Sequence, residues 1–487
     1  MQLELVVNNE PRVLPSVRAF AHETLDQLGL PVANAQELEQ LVVGAVQNAI
    51  EHAYREGEDG AIKLVIAEKQ GKLEIRVRDY GVPQNIVLLE QQLHAGLSTT
   101  LFGCPTVGTV DEMHWLAFGP EGKALQILKW LHVTSVAELA DAKTMMPFRD
   151  DAPIAPEQQY AVGRMAASEA VEVSQLMYRA YGNSYFNPDV YYPQRVAAQN
   201  ANGSVISIVV RDETHSVVGH CALELNQVGP VAELGQAVVD PAHRGRGLLD
   251  RLKETAVQEA QQLGLAGWYA DAVAVHTLTQ KSNVTHGGHL CGVSLGISPK
   301  KEAFLGIAAE QPQRVSCLLY FHWLTKPAVR TVYVPSRHRE IISAIYENLQ
   351  CPIQLGENGV PSGHGTLAVR VESSAARAVV RADQLGEDTV HAIRHAKREL
   401  VERSTVEVVS VELPLDHPAT PHVAEELEND GFGLAGVAPH FAAGQDLLRL
   451  VYLVEPLARE PIKTFEPFAD RLVCYVLSEQ ARVQDAL

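Results

Sequence analysis

Apolar positions along the first third of the chain fall into two rhythms. Residues 3–7 alternate as a strand does, while 13–28 and the longer run 35–54 carry apolar side chains at helical spacing. Residues 62–68 and 72–79 alternate again on either side of Gln70-Gly71, which predicts a hairpin. Another strand is expected at 124–128, after the turn Gly119-Pro120-Glu121-Gly122. The run Asp150-Asp151-Ala152-Pro153-Ile154-Ala155-Pro156 reads as a linker or irregular edge.

From residue 157 the order changes. A helix over 166–179 precedes strands at 205–211 and 217–225, then a strand at 233–239, a helix at 247–263 and a strand at 267–275. That is an α+β order with a helix packed after a central strand. Farther on, strands are expected at 331–334, 366–372, 405–413 and 447–454, and helices at 337–349, 390–402 and 422–429. Two segments echo one another there: Gly288-His289-Leu290-Cys291-Gly292-Val293 and Gly431-Phe432-Gly433-Leu434-Ala435-Gly436-Val437 each follow a strand and a helix-like run. A degenerate internal copy would produce such an echo.

A chain of 487 residues has room for about three domains. The pattern divides it into 1–135, 145–297 and 303–487. A hydrophobic share of 46% gives each its own core material. The formal net charge of −19 repels a phosphate backbone, so nucleic acid is not expected as a partner. The cysteines form no CxxC pair, so neither a zinc site nor a disulfide framework is expected. The N-terminal residues read as a strand rather than a signal peptide, and no apolar run is long enough to span a membrane, so a cytoplasmic protein is expected.

Chemistry concentrates in two runs. The first is Glu233-Leu234-Gly235-Gln236-Ala237-Val238-Val239-Asp240-Pro241-Ala242-His243-Arg244-Gly245-Arg246-Gly247-Leu248-Leu249. An apolar strand enters a basic, glycine-rich turn from which a long helix starts. Backbone N–H groups at such a helix start suit a diphosphate, and Gly245 and Gly247 let the backbone come close to it. A basic surface turn capping an ordinary helix has the same composition. The run resembles the acetyl-CoA motif of the GNAT superfamily, Arg/Gln-x-x-Gly-x-Gly/Ala, with Arg244 and Gly247 in the first two fixed places and Leu249 in the third. The resemblance implies that Gln236, Ala237, Val238 and Val239 face the pantetheine arm. It implies also that Arg244, Gly245, Arg246, Gly247 and Leu248 cradle the diphosphate, with Asn283 near the cofactor arm.

Transfer to an amine needs a group to take the proton, because a lysine-type amine is charged at neutral pH. Glu233 stands where the histone-acetyltransferase-like branch of the family has its general base. His276 is the candidate acid, in a region where many members carry a tyrosine. Each has a plainer reading, as a solvated strand-end carboxylate and a structural histidine. The aromatic run Tyr181-Gly182-Asn183-Ser184-Tyr185-Phe186, with Tyr191-Tyr192-Pro193, borders the acceptor site in this fold, or packs between helices.

The second run is Gly44-Ala45-Val46-Gln47-Asn48-Ala49-Ile50-Glu51-His52-Ala53-Tyr54. Asn48 and His52 share a helix face. Downstream, Arg78-Asp79-Tyr80-Gly81-Val82-Pro83 ends a strand, followed later by Gly96-Leu97-Ser98-Thr99-Thr100. Together these resemble the GHKL-type ATPase fold, most closely the anti-sigma-factor serine kinases. The resemblance implies that Asn48 holds Mg²⁺ beside the phosphates of ATP. Asp79 would accept from the adenine amino group, and His52, Gly81 and Gly96 would line the site. Gly44 stands where that family has its catalytic glutamate, which points to binding or sensing rather than phosphoryl transfer.

The expected whole is α+β with three domains: a GHKL-like α/β sandwich, a GNAT fold and a degenerate GNAT-like domain. The expected activity is acetyl-CoA-dependent N-acetylation of an amine, a protein lysine among the candidates, tuned by nucleotide or a protein partner at the N-terminus. The alternative is a non-catalytic regulator that senses acetyl-CoA and ATP. No membrane partner is expected.

Overall fold

A computed structural model describes the chain from Gln2 to Asp485, apart from residues 29, 31, 55–57, 70–71, 82–99, 102–103, 106–109, 111, 118–121, 132–134, 140–144, 149–154, 183–184, 186, 226–228, 301–310, 373–374, 403–405 and 443. It divides into two compact units, Met1–His132 with Pro361–Glu412, and Val133–Val360 with Leu413–Leu487. Residues 303–487 are thus shared between the units and do not form a block of their own.

In the first unit, β1 (Gln2–Asn8), β2 (Ala61–Lys69), β3 (Lys72–Asp79), β4 (Glu112–Ala117) and β5 (Lys123–Trp130) build an antiparallel sheet in the order β1-β2-β3-β5-β4. The late strand is longer than the predicted 124–128 because Lys123 and Trp130 both continue the pairing with β3. Helices α1 (Leu14–Asp26) and α2 (Val32–His52) close a core of Val17, Ala21, Leu25, Leu38, Leu41, Val42, Val46, Ile62, Leu64 and Ile75. The apolar positions of α2 recur at helical spacing, so one stripe turns inward. β3 alternates strictly between half-buried and buried residues, and that alternation carries Asp79 into the buried row behind Leu73, Ile75 and Val77.

The second unit holds β6 (Ala161–Arg164), β7 (Val205–Arg211), β8 (Val217–Leu225), β9 (Val231–Val239), β10 (Gly267–Val273), β11 (His289–Ser298) and β12 (Val315–Trp323). Their order is β6-β7-β8-β9-β10-β12-β11, antiparallel except for the parallel pair β9–β10. β12 lies between β10 and β11, so this sheet runs past the expected limit at 297. Helix α3 (Ala170–Tyr181) and helix α4 (Pro193–Asn202) cover one face with Val173, Met177 and Val196 against Val209, Val217 and Val238. Helix α5 (Leu248–Gln262) covers the other with Leu248, Leu252, Ala256 and Ala260, one residue per turn, against Ile206, Ile208, Val210 and Leu223. A short helix, α6 (Leu278–Thr285), joins β10 to β11.

Helix α7 (Arg339–Asn348) leads on to β13 (Thr366–Glu372) and β14 (Arg377–Gln384), a hairpin in the first unit. β13 pairs with β4 through Trp115↔Val369 and His114↔Arg370. Helix α8 (Thr389–Glu402) crosses over to β15 (Val408–Pro414), parallel to β14. Back in the second unit, α9 (Thr420–Glu428), the hairpin of β16 (Gly433–Ala442) and β17 (Gln445–Leu453), and α10 (Pro467–Asp485) complete the chain.

The two echoing segments share a pattern of register slips. In β11–β12 the register slips between Leu290 and Gly292 and again between Ser294 and Ser298; in β16–β17 it slips between Leu434 and Gly436 and between Ala438 and Ala442. The helix ends before them also match. Gly288 N–H donates to Asn283 O at 2.8 Å and Gly287 N–H to Val284 O at 3.0 Å; Phe432 N–H donates to Leu427 O at 3.2 Å and Gly431 N–H to Glu428 O at 3.0 Å. The hairpins meet at Gly292↔Gly436. A Cβ on Gly436 would lie 2.4 Å from the Gly292 Cα, so only glycine fits that crossing.

Candidate functional site

β9 and β10 are paired only at Val231↔Gly267, Ala232↔Trp268 and Glu233↔Tyr269, although β9 runs on to Val239 and β10 to Val273. Past Glu233 the two parallel strands therefore leave each other's edges unpaired. β9 is also bent there. Its register with β8 slips opposite His220–Ala222, and Gln236 has φ 51°. A bulge of this kind re-aims the strand's groups. The buried His220 ring, 3.1 Å from the Gln236 carbonyl through Nδ1, holds the bulge in place.

β9 leads into a turn in which Asp240 caps the Ala242 N–H at 3.0 Å. Gly245 and Gly247 have φ 78° and 67°, and a Cβ at either would meet nothing within 4 Å. The first backbone bond of α5 runs from Arg251 N–H to Gly247 O at 3.1 Å, so the amides of 248–250 open the helix without intrahelical partners. Those amides, at the positive end of the helix macrodipole, form an anion cradle with room around it. Leu248 is buried in the core, leaving only its backbone for a ligand, and Leu249 is half-buried.

The basic side chains of the turn differ in what they do. Arg246 is committed within the protein, donating to the Tyr160 hydroxyl and the Ala155 carbonyl. Arg244 is exposed, and its Nε lies 3.3 Å from the Val239 carbonyl. Asn283 is buried, and its Oδ1 accepts from Lys253 Nζ at 2.6 Å, so that side chain anchors α6 to α5. Gln236 is buried, Ala237 offers its carbonyl to the Tyr181 hydroxyl at 3.4 Å, and Val238 packs under α3.

Glu233 lies directly opposite Glu224 in the β8–β9 register. Burial, followed by the charges of Glu224, Tyr181 and Glu233, pushes the Tyr185 phenol well above its ordinary range. Burial and the charges of Glu233, Asp271 and Glu224 do the same to Tyr269. The aromatic loop after α3 therefore borders the two carboxylates. Sequence reasoning missed Glu224. Its only signal was a lone acid near the end of an apolar strand, whereas Glu233 was marked by the place it holds in the GNAT motif.

His276 stands apart from that cluster. It lines an open recess of about 490 Å³ with Thr277, Leu278, Arg459, Glu460, Ile462, Lys463 and Thr464. Its Nδ1 faces the Leu278 N–H at 3.3 Å, and burial lowers its pKa.

In the first unit, Asn48 is 3% exposed, and neither its Oδ1 nor its Nδ2 has a hydrogen-bond partner among the described residues. A buried orphaned amide is costly unless a ligand completes it, which fits a metal–phosphate group. Asp79 lies 3.4 Å from the equally buried Lys123 Nζ and accepts from Gly81 N–H at 3.2 Å. Burial raises the Asp79 pKa and lowers that of Lys123, each offset by the other's charge. Gly81 is dictated by space, since a Cβ there would fall 1.7 Å from the Ala53 carbonyl oxygen. His52 closes α2, with its side chain outside the description, and Gly96 lies outside the described residues.

Residues 171–280 match the family described as Acetyltransferase (GNAT) family, and residues 7–101 match the Histidine kinase-like ATPase domain. The chain joins a histidine kinase-like ATPase domain to a GNAT acetyltransferase domain. The GNAT match spans α3 to α6 and so contains the bulged strand, the glycine turn and the open strand pair. An N-acetyltransferase from Staphylococcus aureus is 15% identical, with 34% of this chain and 99% of that chain covered and a TM-score of 0.29. The ribosomal-protein-S18-alanine N-acetyltransferase of Escherichia coli is 12% identical, over 35% of this chain and 97% of that one, at a TM-score of 0.28. A phosphinothricin acetyltransferase from Sinorhizobium meliloti, in complex with acetyl-CoA, is 14% identical over 34% and 89% at 0.29. The comparison with curated proteins found no match.

One further cluster, His338, Glu428 and Glu479, has the donor atoms for a metal. Arg482 bonds both carboxylates there, and His338 lies 2.7 Å from Glu428 and 2.9 Å from the Tyr475 hydroxyl, so the cluster is already neutralised as an ion-pair network. Cys221, Cys291, Cys317 and Cys351 are buried free thiols. Among the described residues no helix is long and apolar enough to cross a membrane.

Proposed function

We propose that the second unit is an acetyl-CoA-dependent N-acetyltransferase that acts on an amine, and that the first unit tunes it by binding nucleotide or a protein partner. The observation that carries the reading is the parallel pair β9–β10, which parts after Glu233 and Tyr269 and leads directly to the Gly245–Gly247 turn. A thioester arm needs unpaired strand edges to hydrogen-bond with, and its diphosphate needs helix-start amides. Both lie on one strand–turn–helix run.

In this reading the amides of Gln236–Val239 hold the arm, and those of 245–250 with Arg244 hold the diphosphate. Arg246 braces the turn through Tyr160. Glu233 takes the proton from the acceptor ammonium. The freed nitrogen attacks the thioester carbonyl, the C–S bond breaks, and the proton that the attacking nitrogen then sheds goes to the departing thiolate. His276, in its separate recess, is given no step. Residues 303–487, though shared between the two units, are read as a degenerate GNAT-like copy that lacks the basic Arg244–Gly247 type of turn.

In the first unit, Asn48 would hold Mg²⁺ beside the phosphates of ATP. Asp79 already shares its charge with Lys123, so it accepts from an adenine amino group less well than a lone carboxylate would. With Gly44 in place of a base, the module binds rather than phosphorylates.

The test is thiol release from acetyl-CoA in the presence of amines. Turnover is expected, and Glu233→Gln should lower kcat by about 10²-fold with KM for acetyl-CoA unchanged. Tight acetyl-CoA binding with no release for any amine would replace the transferase by a sensor.

A further inference from the structure

Glu224 lies opposite Glu233 across the β8–β9 pair, at a position where cross-strand neighbours are close enough to interact directly. Both carboxylates point to one spot. A Cβ placed on Gly235 would have Glu233 Oε1 at 3.4 Å and Glu224 Oε1 at 3.5 Å, so the missing side chain of Gly235 leaves the space between them open. The Glu224 carboxyl is met by the side chains of Gln236 and Asn187, the latter through Nδ2 to Oε2 at 3.5 Å, whereas its Oε1 is buried and has no hydrogen-bond partner among the described residues. Like charges directly opposite each other in a sheet are destabilising, and burial raises the Glu224 pKa against its charged form. A cation between the two acids favours the charged form of both.

The walls of this space narrow the choice of cation. Tyr185 and Tyr269 flank the two acids, and the Tyr269 ring lies 4.4 Å from that of Phe441, which also carries the Arg449 guanidinium at 4.7 Å, so the walls offered to an alkyl chain are aromatic rather than free of charge. A primary ammonium has three N–H donors to share among two carboxylates and a phenol. A carboxylate next to that nitrogen, as in a free amino acid, would meet two negative charges across an interior that screens them poorly.

We propose that Glu224 selects the acceptor, and that the acceptor is a primary alkylammonium with no anionic group beside its nitrogen, as in a lysine side chain or an alkyl diamine. This rests on the transferase reading. In it Glu224 is a specificity residue that holds the ammonium while Glu233 takes the proton.

The full-length protein is assayed for thiol release with putrescine, Nα-acetyl-lysinamide and alanine, each titrated at saturating acetyl-CoA. The first two are expected to show kcat/KM at least about tenfold above alanine, and whichever of them is better indicates a small diamine or a protein side chain. Glu224→Gln should raise KM for the better amine by about tenfold or more, with kcat within about threefold and KM for acetyl-CoA unchanged. Gly235→Ala, which pushes a methyl between the acids, should raise the same KM, and it serves if the first variant does not fold. Use of alanine as readily as putrescine, or unchanged amine KM in both variants, overturns the selection by Glu224 while leaving the transferase standing. No release with any amine removes both.

Discussion

Asn48 and Lys253 are polar side chains buried for opposite reasons. Asn48 sits in the inward stripe of α2 with both amide atoms orphaned, so the protein without ligand bears its full desolvation cost. Asn48→Leu should therefore raise the melting temperature of the protein alone and abolish the increase that Mg-ATP produces in the wild type. Differential scanning fluorimetry with and without Mg-ATP reads both. A melting temperature that falls in the variant would mean that Asn48 serves the fold rather than a ligand.

Lys253 meets Asn283 Oδ1 instead of a counter-ion, and burial lowers its pKa from 10.5 to about 8. Below about pH 8 both folded and unfolded chains carry the proton. Between 8 and 10.5 the unfolded chain keeps a proton that the folded one has released, so stability rises with pH across that window. The melting-temperature gap between wild type and Lys253→Met should move in favour of the wild type from pH 7 to pH 10. The neighbouring Cys221, pushed up to about 11 by burial and drawn down by the Lys253 charge, moves further up when that charge is removed, so it stays a thiol in both folded proteins up to pH 10. A gap that stays constant with pH would show that the lysine is not held near 8.

At the scale of elements, the two glycine-bulged hairpins show what the linear pattern carries and what it does not. The echo between residues 288–293 and 431–437 was legible because the left-handed helix end before each favours glycine, and Gly287 and Gly431 have φ 82° and 86°. Their contact at Gly292↔Gly436 was not legible, since strand pairing between distant segments leaves no mark on either alone. The glycine turn could be read because backbone demands restrict residue choice, with φ 78° at Gly245 and 67° at Gly247, while Glu233 was read from its place in the motif. Glu224 was hidden, because its role comes from a register partner nine residues along on the next strand. Lys123 was hidden likewise, since only the β3–β5 pairing sets it opposite Asp79. At the hairpin crossing, Gly436→Ala should destabilise by about 2–3 kcal/mol, because its φ of 131° strains any side chain and the Gly292 Cα stands in the way. Gly292→Ala should cost less, since its new Cβ would meet nothing closer than 3.4 Å. Urea unfolding of the two variants checks the order, and equal costs would mean that the hairpins separate easily.

At the scale of the whole chain, the boundary expected at 135 lies close to the break after His132, whereas no break falls at 303, because residues 361–412 return to the first unit after most of the second has been made. β4 depends on that return, its outer edge being paired with β13 at His114 and Trp115. A fragment ending at residue 135 would keep β1 to β5 and both helices but expose the β4 edge. An uncovered strand edge is a template for further pairing, so the fragment should self-associate more than the intact chain does. Supplying residues 361–412 as a separate peptide should suppress that association by restoring the pair. The measurement is sedimentation of the fragment with and without the peptide, beside the intact chain. A fragment that stays monomeric alone would show that the first 135 residues are complete without the returning hairpin.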